Sequence, residues 1–254
     1  LTRLAAVLRG IAFPLGLVVI AQIAAMVSHL QSDTLASPAA ALVAGAHAFA
    51  DGSILIATVQ TLANAFGGLA LGGSIGLLFG ILLGSVVLAD RLMEFSVEAL
   101  RPIPSVALIP VAMLIFGFGF RMEIAIVSFA SFWPVLILTR NAVANVDVAL
   151  YDVARVLRLT PLARTVKIVL PAALPRIFVA FRLAAGIALT VAVTVEVSTN
   201  PLGLGYGMML AEQSLHPELM LAYLLWIGII GWGLNFAITN AQRRLFARSP
   251  QAVR

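Results

Sequence analysis

Few side chains in this sequence are of a type that does chemistry, and their spacing assembles none of the usual sites. Its 254 residues include three histidines, His29, His47 and His216, and no cysteine. Histidines scattered in this way make no metal site, and without cysteine there is no thiolate nucleophile, disulfide or thiolate-held cluster. No nucleophile, base and orienting group occur together. A phosphate-binding loop of the Gly-x-x-x-x-Gly-Lys-Ser/Thr type needs lysine after glycine, whereas the one lysine, Lys167, follows Val166. The chain therefore reads as no enzyme, with no metal or cofactor of its own and no ATPase site. Two features remain: Glu196, just before Ser198-Thr199-Asn200-Pro201, and six basic residues gathered between Arg140 and Arg176.

The elements that position these residues are set by composition. Hydrophobic residues make up 61% of the chain and charged residues 11%, with a mean hydropathy of +1.06. A water-soluble domain carries about 25% charged residues, so most of this surface faces lipid. The pI near 10.7 then reflects membrane topology, not nucleic-acid binding. A spanning helix needs about 20 apolar residues, and six spans are expected. The first lies near Ile11–His29; it is too long for the apolar region of a cleaved signal peptide. Gly52 to Ala89 is uncharged for 38 residues and reads as one long or tilted helix entered by a surface segment. Pro102–Phe120 and Ile124–Thr139 read as a helical hairpin turned at Gly117-Phe118-Gly119. Ile177–Val195 and Leu219–Gln242 complete the set, with Arg182 placed to snorkel from the inner end of the fifth span.

Basic residues fix the expected orientation. With the amino terminus inside, 14 of the 16 fall in inner segments, Arg121 lies outside and Arg182 stands near an inner edge. Both termini are therefore expected to be cytoplasmic. The chain is expected to be one transmembrane domain over residues 1–254, with no repeats or linker. Gly68, Gly72, Gly76, Gly80 and Gly84 recur every fourth residue and form a stripe for close helix packing. Pro102 and Pro104, with Pro110, free backbone carbonyls at the inner half of the third span. That suits a pore-lining segment as well as an ordinary kink. Ser105, Ser128, Ser131 and Trp133 are candidates for the same path, although helix hydroxyls commonly bond their own backbone. Glu196 is a candidate for gating or structure, or simply faces water at a helix end. Acids near mid-membrane are scarce, which argues against proton coupling. Asp33, Asp51, Glu212, His216 and Glu218 form an outer rim that either meets a partner or is solvated.

The inner connection 140–176 carries its own pattern. Val143, Val146, Leu150, Val153 and Leu157 recur at three or four, which predicts one amphipathic helix from about Asn141 to Leu157. Thr160-Pro161 reads as an N-cap and first helical proline, opening a short second helix that ends before Pro171. Two such helices make a rigid knob, which is either a docking element or a solvated loop.

Here the residues resemble a family. Asp152-Val153-Ala154, followed by Ile168-Val169-Leu170-Pro171, is similar to the EAA motif of ABC importer permeases. Arg101-Pro102-Ile103-Pro104-Ser105-Val106-Ala107-Leu108-Ile109-Pro110, Phe132-Trp133-Pro134-Val135, Leu170-Pro171-Ala172-Ala173-Leu174-Pro175-Arg176-Ile177 and Gly203-Leu204-Gly205-Tyr206 resemble its nitrate, sulfonate and taurine subfamily. The resemblance runs from about Leu62 to Ala247. It implies the all-helical type I permease fold, with a coupling-helix loop between the fourth and fifth spans in a bacterial inner membrane. It further implies a twelve-span dimer with a second permease copy, alike or related, two ATPase subunits carrying ATP and Mg, and a solute-binding protein, periplasmic or lipid-anchored. The solute would be small and polar or anionic. Asp152, Ala154, Arg155, Arg158, Thr160, Pro161, Leu162, Arg164, Lys167 and Pro171 would form the ATPase-coupling surface. An ion-coupled carrier and a non-transporting scaffold are the rival classes. The chain departs from the motif most at Arg158, which stands where the family has glycine. Glycine there would allow a positive φ, and any other residue would cost roughly 1 kcal/mol in that conformation. The expectation is a turn rebuilt around Thr160-Pro161; an altered docking surface is the alternative.

Overall fold

The computed structural model describes Gly16, Val19, Ile20, Gln22, Ile23 and residues 36–246. The expected first span falls mostly outside these. The described elements are helices α1 (Pro38–Ala50), α2 (Ser53–Ser85), α3 (Val87–Leu100), α4 (Ile109–Phe116, entered by a 3-10 turn at Ser105–Leu108), α5 (Phe120–Ala144), α6 (Val148–Val156), α7 (Pro161–Arg164), α8 (Leu170–Ser198), α9 (Leu204–Gln213) and α10 (Pro217–Phe246). Four helical stretches are long and apolar enough to cross a membrane: α2, α5, Pro161–Ser198 and α10. A fifth crossing exists if the bent pair formed by α3 and Ser105–Phe116 counts as one span.

Small residues set the packing. A Cβ on Gly76 would lie 2.6 Å from the Phe132 carbonyl, one on Gly80 2.8 Å from the Leu136 carbonyl and one on Gly84 2.7 Å from the Arg140 carbonyl. At Gly68 and Gly72 it would run into Val127 and the Ser128 backbone. The five glycines thus let α2 lie backbone-to-backbone along α5, and because both helices advance together from Gly68/Val127 to Gly84/Val143, they run parallel. In lipid no apolar burial drives helices together, so close contact of this kind supplies the attraction. On α8 the buried residues are mostly alanine: Ala173, Ala180, Ala184, Ala185, Ala188 and Ala192. They pack antiparallel against both helices, Ala188 and Ala192 against Ala65 and Val127, and Ala173 and Ile177 against Ala142 and Val143. α10 closes the bundle, with Trp226 donating from Nε1 to Thr58 Oγ1 at 2.8 Å and Phe49 of α1 set edge-on to its ring.

Three expectations need correction. The third span, expected over Pro102–Phe120, is not one helix: it holds a 3-10 turn at Ser105–Leu108 and the short α4, and this segment meets α3 at 82°. Pro102 and Pro104 lack the N–H a helix needs, so α3 closes at Arg101, itself still right-handed helical, and only Ile109–Phe116 is α-helical beyond them. The single helix expected over 141–157 is two. α5 ends at Ala144, and Asp147 starts α6 by accepting from Ala149 N at 2.9 Å. The new start rephases the stripe, leaving Val153 and Leu157 exposed instead of buried. Lastly, the short helix at Pro161 does not stop before Pro171. A π-type turn at Thr165–Val169 carries it straight into α8, with Leu170 N bonded to Thr165 O. The wider turn makes room for the Pro171 ring, which an α-turn would press against the carbonyl four residues back.

Gly72→Leu is expected to destabilise the protein by 1 kcal/mol or more, since overpacking of about 1–3 kcal/mol is here directed at backbone that cannot yield. Gly186→Ala, where an added Cβ meets nothing within 4 Å, is expected to be neutral. Thermal unfolding of the detergent-purified variants compares the two.

Candidate functional site

The basic residues collect at one end of the bundle. Of the described ones, Arg91, Arg101, Arg140, Arg155, Arg158, Arg164, Lys167, Arg176, Arg243 and Arg244 lie at the end where α2, α5 and α10 finish and α8 starts. Residues 147–169 project there as a knob. Its inner side is anchored where Leu150, Tyr151 and Leu170 pack on Ala142, Val143, Val146, Val169, Ala173 and Ile177. The Arg164 guanidinium lies 5.3 Å from the centre of the Tyr151 ring and joins α7 to α6. Such a contact contributes roughly 0.5–1 kcal/mol. Arg140 grips Asp90 through Nε and Nη2, at 2.5 and 2.8 Å, and so ties α3 to the end of α5.

The turn at the knob's tip keeps the geometry a glycine would give. Arg158 has φ 49°, a left-handed conformation. Its N–H bonds Arg155 O and the Leu159 N–H bonds Ala154 O, both at 3.0 Å. These are the paired bonds of a Schellman C-cap, whose left-handed position normally holds glycine. The expectation of a rebuilt turn is therefore corrected: the turn is unchanged and Arg158 carries the strain. Thr160 caps α7, accepting from Ala163 N at 3.3 Å. Around this turn Val156, Leu157 and Leu162 stand 82, 61 and 75% exposed. Of the residues expected on the coupling surface, Asp152, Arg155, Arg158, Thr160, Pro161, Leu162, Lys167 and Pro171 are exposed. Ala154 is buried and Arg164 half-buried, so these two shape the knob from within. Val156 and Leu157 were not expected on that surface, since the unbroken stripe placed Leu157 inward.

The path residues separate. Ser105 and Trp133 share a cavity of about 400 Å³ with Arg101 and Leu183, while Pro102 lines a neighbouring one of about 390 Å³ and Pro104 is exposed. Ser128 and Ser131 are buried between helices, with hydroxyls that have no partner. A larger groove of about 600 Å³ runs between α8 and α10, lined by Arg182, Gly186, Thr190, Thr194, Gly231 and Asn235 among others. Arg182 lies about 18 Å along α8 from Leu170 and about 9 Å beyond Arg176, inside the stretch expected as the fifth span.

At the opposite end Glu196 is fully buried, and so is Glu123, which lies between the stretches expected as the third and fourth spans. Both acids lie near helix ends and not at mid-height, Glu123 in the first turn of α5 and Glu196 in the last turn of α8. Thr61 Oγ1 donates to Glu196 Oε2 at 2.9 Å and accepts from Leu204 N at 2.9 Å; Gly205 N also donates to Glu196 Oε2 at 2.9 Å. Asn64 Nδ2 donates to Glu123 Oε2 at 2.6 Å, and Asn200 Nδ2 donates to the same oxygen. Gly203, at φ 93°, leaves the space a side chain would take from the Glu196 carboxylate. This polar knot fastens α2, α5, α8 and the loop before α9 together, and among the described residues no basic side chain pairs with either acid. Glu196 is therefore enclosed within the bundle.

Long lipid-facing helices around small-residue contacts, a rigid basic knob at one end and cavities along the central helix define a polytopic membrane permease. Residues 72–249 match the family described as binding-protein-dependent transport system inner membrane component, and the chain belongs to that family. It is 29% identical over 238 residues to the aliphatic sulfonates transport permease protein SsuC of Bacillus subtilis (strain 168), covering 94% of this chain and 86% of that one. It is 29% identical over 160 residues to the nitrate import permease protein NrtB of Leptolyngbya laminosa, covering 63% and 57%. A solved inward-facing form of the MetNI methionine ABC transporter has the same fold, with a TM-score of 0.68 at 23% identity over 75% of this chain and 95% of that one. The chain is thus a permease component of an ABC importer.

Two substitutions test the local geometry. Arg158→Gly is expected to stabilise the knob by about 1 kcal/mol by removing the left-handed strain, read as slower hydrogen exchange at the Arg158 and Leu159 amides. Thr61→Val keeps the shape but leaves Leu204 N–H and Glu196 Oε2 short of a partner. A loss of about 1–3 kcal/mol is expected, read as a lower Tm.

Proposed function

We propose that this chain forms half of the membrane pore of an ATP-driven importer for a small anionic solute of the sulfonate or nitrate kind. Its knob docks on a partner ATPase subunit. In this reading residues 1–254 act as one transmembrane domain in a bacterial inner membrane, with both termini cytoplasmic and segment 140–176 as the coupling element. A second permease copy completes the pore. Two ATPase subunits hold ATP and Mg, and an external solute-binding protein delivers the solute.

One observation carries the proposal: the knob is keyed to α8 without a hinge. From Pro161 to Ser198 the chain is helical for 38 residues, and the wide turn at 165–169 continues it instead of interrupting it. A displacement of the knob by a nucleotide-driven partner is passed as rigid-body motion into the helix that borders the cavities of about 600 and 400 Å³. The exposed Val156, Leu157 and Leu162 supply the apolar centre of a docking contact, and Arg155, Arg158 and Lys167 supply a basic rim. The match to SsuC and NrtB supports the anionic solute. The excess of arginine at the knob end supports the orientation.

Leu162→Asp is expected to leave the bundle folded, with Tm within about 2 °C of wild type because the site is exposed. It is expected to reduce copurification of the ATPase by about tenfold or more, as loss of an interface anchor does, and to abolish uptake. Full ATPase recovery and normal uptake in Leu162→Asp would overturn the docking assignment. Uptake of solute by proteoliposomes that contain no ATPase subunit would overturn the ATP-driven reading itself.

A further inference from the structure

The groove between α8 and α10 holds a cation that the fold does not use. Arg182 lies two-fifths of the way along α8, half-buried, and lines the groove of about 600 Å³. Among the described residues its guanidinium enters no ion pair; the pairs there are Arg140–Asp90, Arg155–Asp152 and His216–Glu218. An arginine cannot shed its charge. Held within a spanning helix without a carboxylate, it must reach water, the membrane interface, a backbone carbonyl or a counter-ion, and the groove it lines opens it to a mobile one.

The surroundings point the same way. Thr190 Oγ1 and Thr194 Oγ1 give their protons to Gly186 O and Thr190 O, at 3.0 and 2.8 Å. The strong donors left in the groove are the five N–H groups of Arg182 and the amide of Asn235. Leu183, the next residue, also lines the cavity of about 400 Å³ that contains Arg101 and the indole of Trp133. The Trp133 Nε1–H is buried and has no partner. Both cavities beside this stretch of α8 therefore offer donors and positive charge, and no carboxylate lines either one. An oxyanion with two coplanar oxygens satisfies a guanidinium fork as water does not.

We propose that Arg182 is the residue that receives the charge of the transported anion as it passes along the groove, and so sets the preference for sulfonate- or nitrate-like solutes. The assignment rests on the importer reading above and deepens it. The occupant is the solute itself, not a lipid headgroup.

The wild-type chain has no cysteine, which makes chemical rescue a clean test. Uptake of ³⁵S-ethanesulfonate and of labelled nitrate is measured in proteoliposomes containing the complete transporter, with wild type, Arg182→Lys, Arg182→Gln and Arg182→Cys. The glutamine and cysteine variants are expected to raise KM for the transported anion about tenfold or more, the loss of one charge-assisted contact. The lysine variant should stay within about threefold, with unchanged recovery of assembled complex throughout. Treating Arg182→Cys with 2-aminoethyl methanethiosulfonate lets the thiolate attack the reagent sulfur, forming a disulfide and releasing methanesulfinate. The restored positive charge should bring KM back towards wild type, while the uncharged methyl reagent should not.

An unchanged KM in Arg182→Gln, a cysteine that water-borne reagent cannot reach, or a loss of assembled complex equal to the loss of uptake would each overturn the assignment. So would a defect that tracks the anionic-lipid content of the vesicle and leaves solute KM alone, which would give the guanidinium to a headgroup. Wild-type transport of neither probe would overturn the solute class proposed above, and this assignment with it.

Discussion

The contact on which the rest of the molecule depends is the close approach of α2 to α5. Two helices in lipid gain nothing by hiding apolar side chains from each other, because hydrocarbon is the solvent on every side. What they can gain is dispersion between atoms brought nearer than side chains normally allow, and the glycines from Gly68 to Gly84 make this possible. Once the two backbones are locked in parallel, the surface they share is narrow and shallow. Only a helix faced with alanine fits it, which is the buried face of α8. The bundle is thus selected by smallness, and the large apolar side chains point outward to lipid, as Leu78, Leu114 and Trp232 do.

That arrangement explains where polar groups are placed. Close helix packing along the middle admits only small hydroxyls such as those of Ser128 and Ser131, so the buried acids Glu123 and Glu196 sit at one end, where the loop before α9 can lay amide groups against them. Gln60, Thr61 and Asn64 from α2 complete the set, Gln60 by accepting from Gly203 N at 3.0 Å. The other end is held differently, by the Arg140–Asp90 pair and by the apolar cluster beneath the knob. One end is therefore fastened by buried hydrogen bonds and the other by an ion pair partly open to water, with side chains 24 and 27% exposed. The second is the softer joint, since an exposed pair contributes little.

How much of this was legible in the sequence depends on the range of the interaction involved. Long charge-free runs located α2, α5, α8 and α10, because the thickness of a bilayer imposes itself on every spanning segment. The cap at Thr160 was legible as well, being a contact between residues three apart. Glu123 was not: its partners lie 59 and 77 positions away, and a glutamate between two apolar runs looks like a loop residue until the bundle closes over it. The continuity through Pro171 was hidden because proline ordinarily stops a helix, and only tertiary packing stabilises the wider turn that accepts it. Arg158 misled for the converse reason. A non-glycine residue suggests that a left-handed turn has been lost, yet the two Schellman bonds and the packing of Ala154 outweigh a strain of about 1 kcal/mol.

The two faces of α8 account for how such a helix could be both fixed and movable. Its alanine face is in contact along its length, so it cannot bend without opening gaps whose lining atoms would lose their partners. Its other face, through Leu183, Gly186 and Thr190, borders cavities and resists nothing. A push on the knob then has one inexpensive response, a rigid shift of α8 and its companions over the open side, and distortion within the bundle is the costly alternative. The hydroxyls along that side reinforce the point, because Thr190, Thr194 and Ser198 each bond a carbonyl one turn back and so need no partner across the groove. A surface satisfied within its own helix can slide past whatever faces it without breaking hydrogen bonds, and this is the property that a moving wall of a transport path requires.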